Sequence, residues 1–366
     1  MSTLKLCWNG IRFKKPYKTL NQEKKSHFRE NTAKNTAAEY RGFGINTEII
    51  YKVFGTNAQK AVGCALAEIN RLENKLSRFI PDSEVSRLNQ SGGKGTLRIS
   101  TETYKVLSCG IRYSELTQGM FNILTGPLTD LWNYKHATDV PEEDDIERVL
   151  SLVDYHDLIL DARKRKAGLS KQGQSIDLGG IGKGYAGDRC MEILQKKGIV
   201  SAYINIGGGV SVLGNKPDGS PWRVGIRHPR NFGSLLGSVE VTGKAVVTSG
   251  DYERYFIDRE GKRRHHILNP VTGYPAETEL TSVTVVADSA MEADALSTSI
   301  FAAGISKGLD YLAHSHRAEA VLVDRDQQVY ITGGLEECFH SAEGIKTIII
   351  GKEQRNEQNF RKKGEK

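Results

Sequence analysis

The chain has only five cysteines, at positions 7, 64, 109, 190 and 338, too few and too scattered for a disulfide framework or a metal knot. They read as free thiols or small buried hydrophobes. No apolar run reaches the length a membrane helix needs, so no transmembrane segment is expected. The start carries Lys5 and Arg12 with no continuous apolar segment, so it shows no secretory signal. That favours a cytoplasmic protein, with an exported or membrane-associated one as the alternative if the natural N-terminus is missing. One adjacent histidine pair, His265-His266, lacks the spacing of a zinc-protease helix. The formal charge of +7 is concentrated at the two ends, in Lys14, Lys15, Lys18, Lys24, Lys25 and Arg29 and again in Arg361, Lys362, Lys363 and Lys366. Basic termini explain it without a nucleic-acid partner, and none is expected.

Between those ends the composition is that of an ordinary globular chain, 38% hydrophobic and 26% charged, long enough to bury a full core. Residues 1–39 read as a basic irregular arm, 40–340 as the main domain, and 341–366 as a terminal strand and basic tail. Residues 47–55 read as a strand closed by Gly55, followed by an amphipathic helix through Val62, Leu66, Ile69, Leu72 and Leu76. The chain turns at Pro81 into a short helix, then enters a longer one over 100–117 with Tyr104, Leu107, Ile111 and Leu116 facing inward. Glu142 to Asp145 suit the positive end of another helix. Beyond residue 200, short runs at 202–206, 210–214, 222–227 and 235–241 alternate as strands. A helix follows over 291–304, then a hairpin around Arg325-Asp326-Gln327 and a last strand over 346–350. This order predicts an α+β, mixed α/β chain rather than repeated βαβ units.

The chemistry gathers around residues 175–189, SIDLGGIGKGYAGDR. An apolar run carrying Asp177 tightens through glycines and changes to helical period at Tyr185, Met191 and Leu194. Backbone N–H groups of Gly182-Lys183-Gly184 at a helix start, with the Lys183 charge, make a polyphosphate-shaped element. It matches neither the Walker A pattern nor the dinucleotide fingerprint, and a glycine turn with a surface lysine explains it equally well. Its Asp177 can meet a cation or a nucleotide ring edge. An aromatic-rich corner at 119–134 suits either an apolar wall for a planar ring or a plain core. Hydroxyls, guanidinium groups and imidazoles crowd residues 246–275 as at a site rim. His265 and His266 cannot both point to one face of an extended strand, so they have different jobs. On the 291–304 helix Asp294 and Thr298 are one turn apart with Ser297 beside them, an oxygen set suited to Mg²⁺, although a capped or solvated helix reads the same way.

Taken in order, Ser77-Arg78-Phe79, Phe121-Asn122-Ile123-Leu124-Thr125-Gly126-Pro127, Ile176 to Tyr185, Asn205-Ile206-Gly207-Gly208, Thr248-Ser249-Gly250-Asp251-Tyr252, His266 to Pro275 and Glu292 to Thr298 resemble the FAD:protein FMN transferases over roughly residues 40–335. The ordered set is far more specific than any member. The resemblance implies an α+β fold with a T-fold-like core, and a Mg²⁺-dependent enzyme that cleaves FAD and joins FMN through its phosphate to a Thr or Ser hydroxyl of an acceptor flavoprotein, releasing AMP. It further implies an FAD pocket lined by Phe43, Phe79, Met120, Phe121, Asn122, Asp177, Lys183 and Leu268. Mg²⁺ is expected on Gly180, Asp294, Thr298 and Ser297, and His266 is the candidate base. Three positions depart from the family pattern: Asn122 and Asn269 stand where Asp is common, and Phe79 stands where Tyr would add a hydroxyl. The alternatives are an FAD pyrophosphatase yielding FMN and AMP, and a non-catalytic FAD-binding protein. An NAD oxidoreductase fits worse, for its fingerprint is missing.

Overall fold

The computed structural model describes residues 29–30, 37–315 and 317–351. Cys7, most of the 1–39 arm and the basic tail lie outside them. Among the described residues the frame is one sheet of ten strands whose spatial order is their order in the chain: Arg29–Glu30, Ala37–Gly44, Thr47–Phe54, Ser201–Ile206, Gly209–Leu213, Ala245–Gly250, Leu280–Ala287, Glu319–Asp324, Val329–Thr332 and Thr347–Ile350. Neighbours run antiparallel except the last pair, where Tyr330 lies beside Ile348 in parallel register. The final strand is therefore part of the main sheet. Each tight turn or long excursion simply returns the chain to the next position.

Both faces of the middle of this sheet are covered. Along Leu280–Ala287 all eight residues are buried, with Val283 and Val285 in the core under the helices and Val286 in a second core. Its Ser282 and Thr284 alternate with Val283 and Val285 yet are buried as well, because the sheet is covered on both sides. On the first face lie the helices Ala58–Leu76, Gly182–Lys196 and Ala290–Ala303. On the other, a three-stranded sheet of Trp222–Arg227, Leu235–Val241 and Phe339–Ser341 packs Val224, Ile226 and Val239 against Val212, Val321 and Val323. Each such side chain, fully buried, contributes about 1.5–3 kcal/mol.

Two local details position the site. Strands Ser201–Ile206 and Gly209–Leu213 meet through Gly207 and Gly208, at φ 58° and 91°, the left-handed pair that a two-residue hairpin needs. A smaller third core joins helix Gly126–Trp132 to the loops after residue 255, where Trp132 Nε1 donates to the Gly273 carbonyl at 2.8 Å.

Helix Thr101–Leu116 buries Leu107 as expected, but its most buried face is shifted from the expected one. Its buried positions include Thr103, Val106, Leu107, Gly110, Tyr113 and Ser114, whereas Tyr104, Ile111 and Leu116 are only partly covered. Gly110 has no side chain to keep Ile123 away, and Ser114 satisfies its hydroxyl on the Gly110 carbonyl at 2.9 Å, so small and polar residues face inward. Among the described residues no helix is long and apolar enough to cross a membrane.

Candidate active site

The glycine-rich loop delivers helix Gly182–Lys196 against helix Ala290–Ala303 at very close range. A side chain at Gly184 would strike the carbonyl of Ala290, so only glycine permits this approach. Ile181 precedes the helix and has no polar group to cap it. First-turn N–H groups are left for other acceptors, and Asp294 takes one: its Oδ2 accepts from Gly184 N at 3.0 Å. Asp188, one turn further on, caps the opposing helix by accepting from Ser289 Oγ at 2.6 Å, Ala290 N at 2.6 Å and Met291 N at 3.1 Å. The two helices thus fasten each other through backbone donors and carboxylates.

Asp294 is buried, and Lys183 Nζ lies 3.5 Å from its Oδ1 while donating to the Gly179 carbonyl at 2.6 Å. One turn along, Thr298 Oγ1 lies 3.3 Å and Ser297 Oγ 2.9 Å from Ser249 Oγ. Gly180 reaches the same place: a Cβ there would stand 3.1 Å from the Phe121 ring and 3.3 Å from Thr298 Oγ1. The structure therefore brings Gly180, Phe121, Lys183, Asp294, Ser297 and Thr298 together. Ser249 joins them and was missed as a site residue, although the Thr248-Ser249-Gly250 run lay inside the recognised pattern. Among the described residues no group of three or more His, Cys, Asp or Glu can hold a metal. One carboxylate with hydroxyl and carbonyl oxygens is nevertheless the donor chemistry of a hard cation that keeps water and substrate phosphate in its shell.

His266 is half-buried beside this cluster, its ring set edge-on to Tyr134 with centroids 6.5 Å apart. Nδ1 lies 3.2 Å from the Arg254 carbonyl. A carbonyl only accepts, so Nδ1 carries the proton and the neutral ring keeps its lone pair on Nε2. Removal from water, then the charges of Arg254, His265 and Lys183, push its pKa down to about 3. His265 does a different job, as its opposite orientation requires. It is buried, with Nε2 on the Ala276 carbonyl at 3.1 Å and its ring edge-on to Phe301.

The other expected pocket residues are not gathered into this cluster. Asp177 Oδ1 accepts from Gly179 N at 2.8 Å, and its Oδ2 meets Arg78 Nη1 at 2.9 Å. Arg78, quoted in the sequence only as part of a motif, is the second residue missed. Phe79 is 62% and Phe43 57% exposed, on different elements. Met120 is half-buried against the main core, and Leu268 lies in the third core.

The two asparagines spend their side chains on the fold of their own loops. Asn122 Oδ1 accepts from Leu124 N at 2.8 Å and its Nδ2 donates to the Val153 carbonyl at 3.4 Å. Asn269 Oδ1 accepts from Val271 N at 2.8 Å and Thr272 N at 3.3 Å. In both turns the amide oxygen supplies the acceptor an aspartate would offer, so charge is not needed to build them.

A sequence profile of the ApbE family matches residues 43–322. This chain belongs to the ApbE family. It is 34% identical over 300 residues to a FAD:protein FMN transferase of Klebsiella pneumoniae, covering 81% of this chain and 92% of that protein. The corresponding protein of Treponema pallidum is 32% identical over 311 residues, covering 80% and 85%. Among solved structures, the ApbE protein of Thermotoga maritima superposes with a TM-score of 0.75 at 31% identity, covering 82% of this chain and 99% of that one. The apo flavinyl transferase ApbE of Pseudomonas stutzeri gives 0.75 at 28% identity, over 85% and 99%. The ApbE match covers all of the residues gathered at the site, from Phe121 to Thr298.

Proposed function

We infer that this ApbE protein transfers the FMN part of FAD to a Thr or Ser hydroxyl of an acceptor flavoprotein and releases AMP. The observation that carries the chemistry is the juxtaposition of Lys183 and Asp294, 3.5 Å apart at an uncapped helix start, beside a neutral imidazole. The helix N-terminus and the Lys183 ammonium attract the diphosphate of FAD, and burial of the surrounding groups strengthens that attraction. Asp177 and Phe79 face the nucleotide, and Phe121 walls the space next to Gly180.

In the transfer step the acceptor hydroxyl oxygen bonds to the FMN phosphorus, the bond from that phosphorus to the AMP oxygen breaks, and AMP leaves. His266 Nε2 takes the hydroxyl proton, while Lys183 holds the charge that gathers on the phosphate oxygens. Asp294, Thr298, Ser297 and the Gly180 carbonyl are the residues that would hold Mg²⁺. Bound there, Mg²⁺ supplies neutralisation of diphosphate charge.

The deciding measurement follows AMP release and acceptor mass in a mixture of protein, FAD, Mg²⁺ and a flavoprotein with a modifiable Thr or Ser. A mass gain equal to FMN, matched one for one by AMP, is expected. Rapid AMP release with an unmodified acceptor replaces transfer with FAD hydrolysis, and FAD binding without any AMP leaves only a flavin-binding protein.

A further inference from the structure

Arg78 follows helix Ala58–Leu76 in a turn that is rigidly built. Ser77 Oγ accepts from Phe79 N at 3.2 Å, and Ser83 Oγ donates to the Ser77 carbonyl at 2.5 Å. Phe79 presents its ring to solvent, whereas the Arg78 side chain is only 9% exposed. Its guanidinium pairs with Asp177 at 2.9 Å and with Asp130 at 2.5 Å, and both terminal nitrogens reach toward the Gly126 carbonyl at 3.4 Å. Its Cζ is also 5.7 Å from the centroid of the Phe79 ring.

We propose that Arg78 is a positioning residue for the nucleotide end of FAD: it fixes the Asp177 carboxylate beside the exposed Phe79 ring so that a base stacked on that ring meets an acceptor at its amino edge. The proposal rests on the FAD reading above. A carboxylate has about four acceptor sites, and Arg78 and the Gly179 N–H take two. What remains is acceptor-only, so it favours an edge with N–H donors and disfavours one with a carbonyl. Adenine carries an amino group at that edge, whereas its deaminated counterpart, hypoxanthine, carries an oxygen there and moves the donor to the ring N1–H, out of line with an acceptor set for the amino group. A lysine at 78 cannot reproduce the arrangement, because one ammonium lacks the planar fork that spans two carboxylates and a carbonyl.

The test is an equilibrium titration of the full chain with FAD and with flavin hypoxanthine dinucleotide, read by flavin fluorescence beside thermal unfolding. Wild type is expected to prefer FAD. R78K and R78M should weaken FAD binding by about tenfold or more, the range for loss of an outer-shell partner, while the deaminated dinucleotide changes little and the preference collapses. D130N leaves the Arg78–Asp177 pair in place and should keep the preference. Retained preference in R78M, or an equal loss for both dinucleotides that follows a lowered melting temperature, overturns the positioning role. No preference in the wild type overturns it too, yet leaves FMN transfer to be judged separately by the acceptor mass.

Discussion

At His266 the carbonyl of Arg254 does the decisive work, because it fixes the proton on Nδ1 and leaves Nε2 free. Replacing His266 with Ala should slow acceptor modification by ~10²–10⁴-fold while FAD still binds, measured by product mass and by fluorescence titration. Normal transfer by that variant removes the base. The depressed pKa, about 3 in the free protein, also orders the pH profiles. Bound diphosphate brings negative charge toward the imidazole and favours its protonated form, so the pKa rises in the complex. The acid limb of kcat should therefore lie at higher pH than that of kcat/KM, and the reverse order counts against the assignment. The stability sign follows from the same shift. In the unfolded chain the ring titrates near ~6.5, so stability is complete above that pH and declines as pH falls toward the folded value.

Asp294 offers a second contrast at this scale. It accepts from Gly184 N and lies beside Lys183, which on the proposed function puts it at the diphosphate end rather than the ring contacts. Asp294→Ala should reduce AMP release by at least about 10²-fold and FAD affinity far less. A variant with near-normal Mg²⁺-dependent turnover would remove it from the cation site. Asp294, Thr298 and Lys183 were legible because each sits in a dense local pattern. Ser249 and Arg78 were not, since their partners are 48 and 99 residues away in the chain. No local period encodes such a pairing.

Among the elements, the contact between Gly182–Lys196 and Ala290–Ala303 carries the most risk, because Gly184 permits both the helix approach and the hydrogen bond to Asp294. Gly184→Ala forces a methyl into the Ala290 carbonyl, and the expected loss is roughly 1–3 kcal/mol or more of stability together with displaced Asp294. Chemical denaturation and FAD titration on the same variant check both parts, and wild-type values in both would show that the helices can part freely. The glycine pattern itself gave the helix start at Gly182, while the turn at Pro81 and the period over 100–117 located two others. The inward face of Thr101–Leu116 was misread because apolar size was taken as the guide, whereas Gly110 is buried for its smallness and Ser114 for its hydrogen bond. Leu280–Ala287 was not read as a strand, although Ser282-Val283-Thr284-Val285 alternates and is rich in β-branched residues.

In the whole molecule, chain order and sheet order coincide, so the site is assembled mostly from excursions off a largely antiparallel frame, with Ser249 supplied by one of its strands. Arg78 and Asp177 come from one of them and His266 and Asp294 from two others, and the Arg78–Asp177 pair and the Gly184–Asp294 hydrogen bond tie these segments to one another. A ligand touching several of them should therefore stabilise the folded chain by linkage, about 2.7 kcal/mol at a hundredfold excess over its dissociation constant. The cation should behave differently on its own. Only one carboxylate stands among the proposed ligands, and Lys183 already lies 3.5 Å from it, so Mg²⁺ without phosphate oxygens has a poor shell and a competing charge. Thermal unfolding with neither ligand, with each, and with both should show a clear rise with FAD, almost none with Mg²⁺, and more with the pair than the separate shifts add up to. If Mg²⁺ alone stabilises as strongly as the pair, the cation has its own complete site elsewhere. If FAD stabilises equally with Mg²⁺ or with a chelator, the two do not share the space between Asp294 and Lys183.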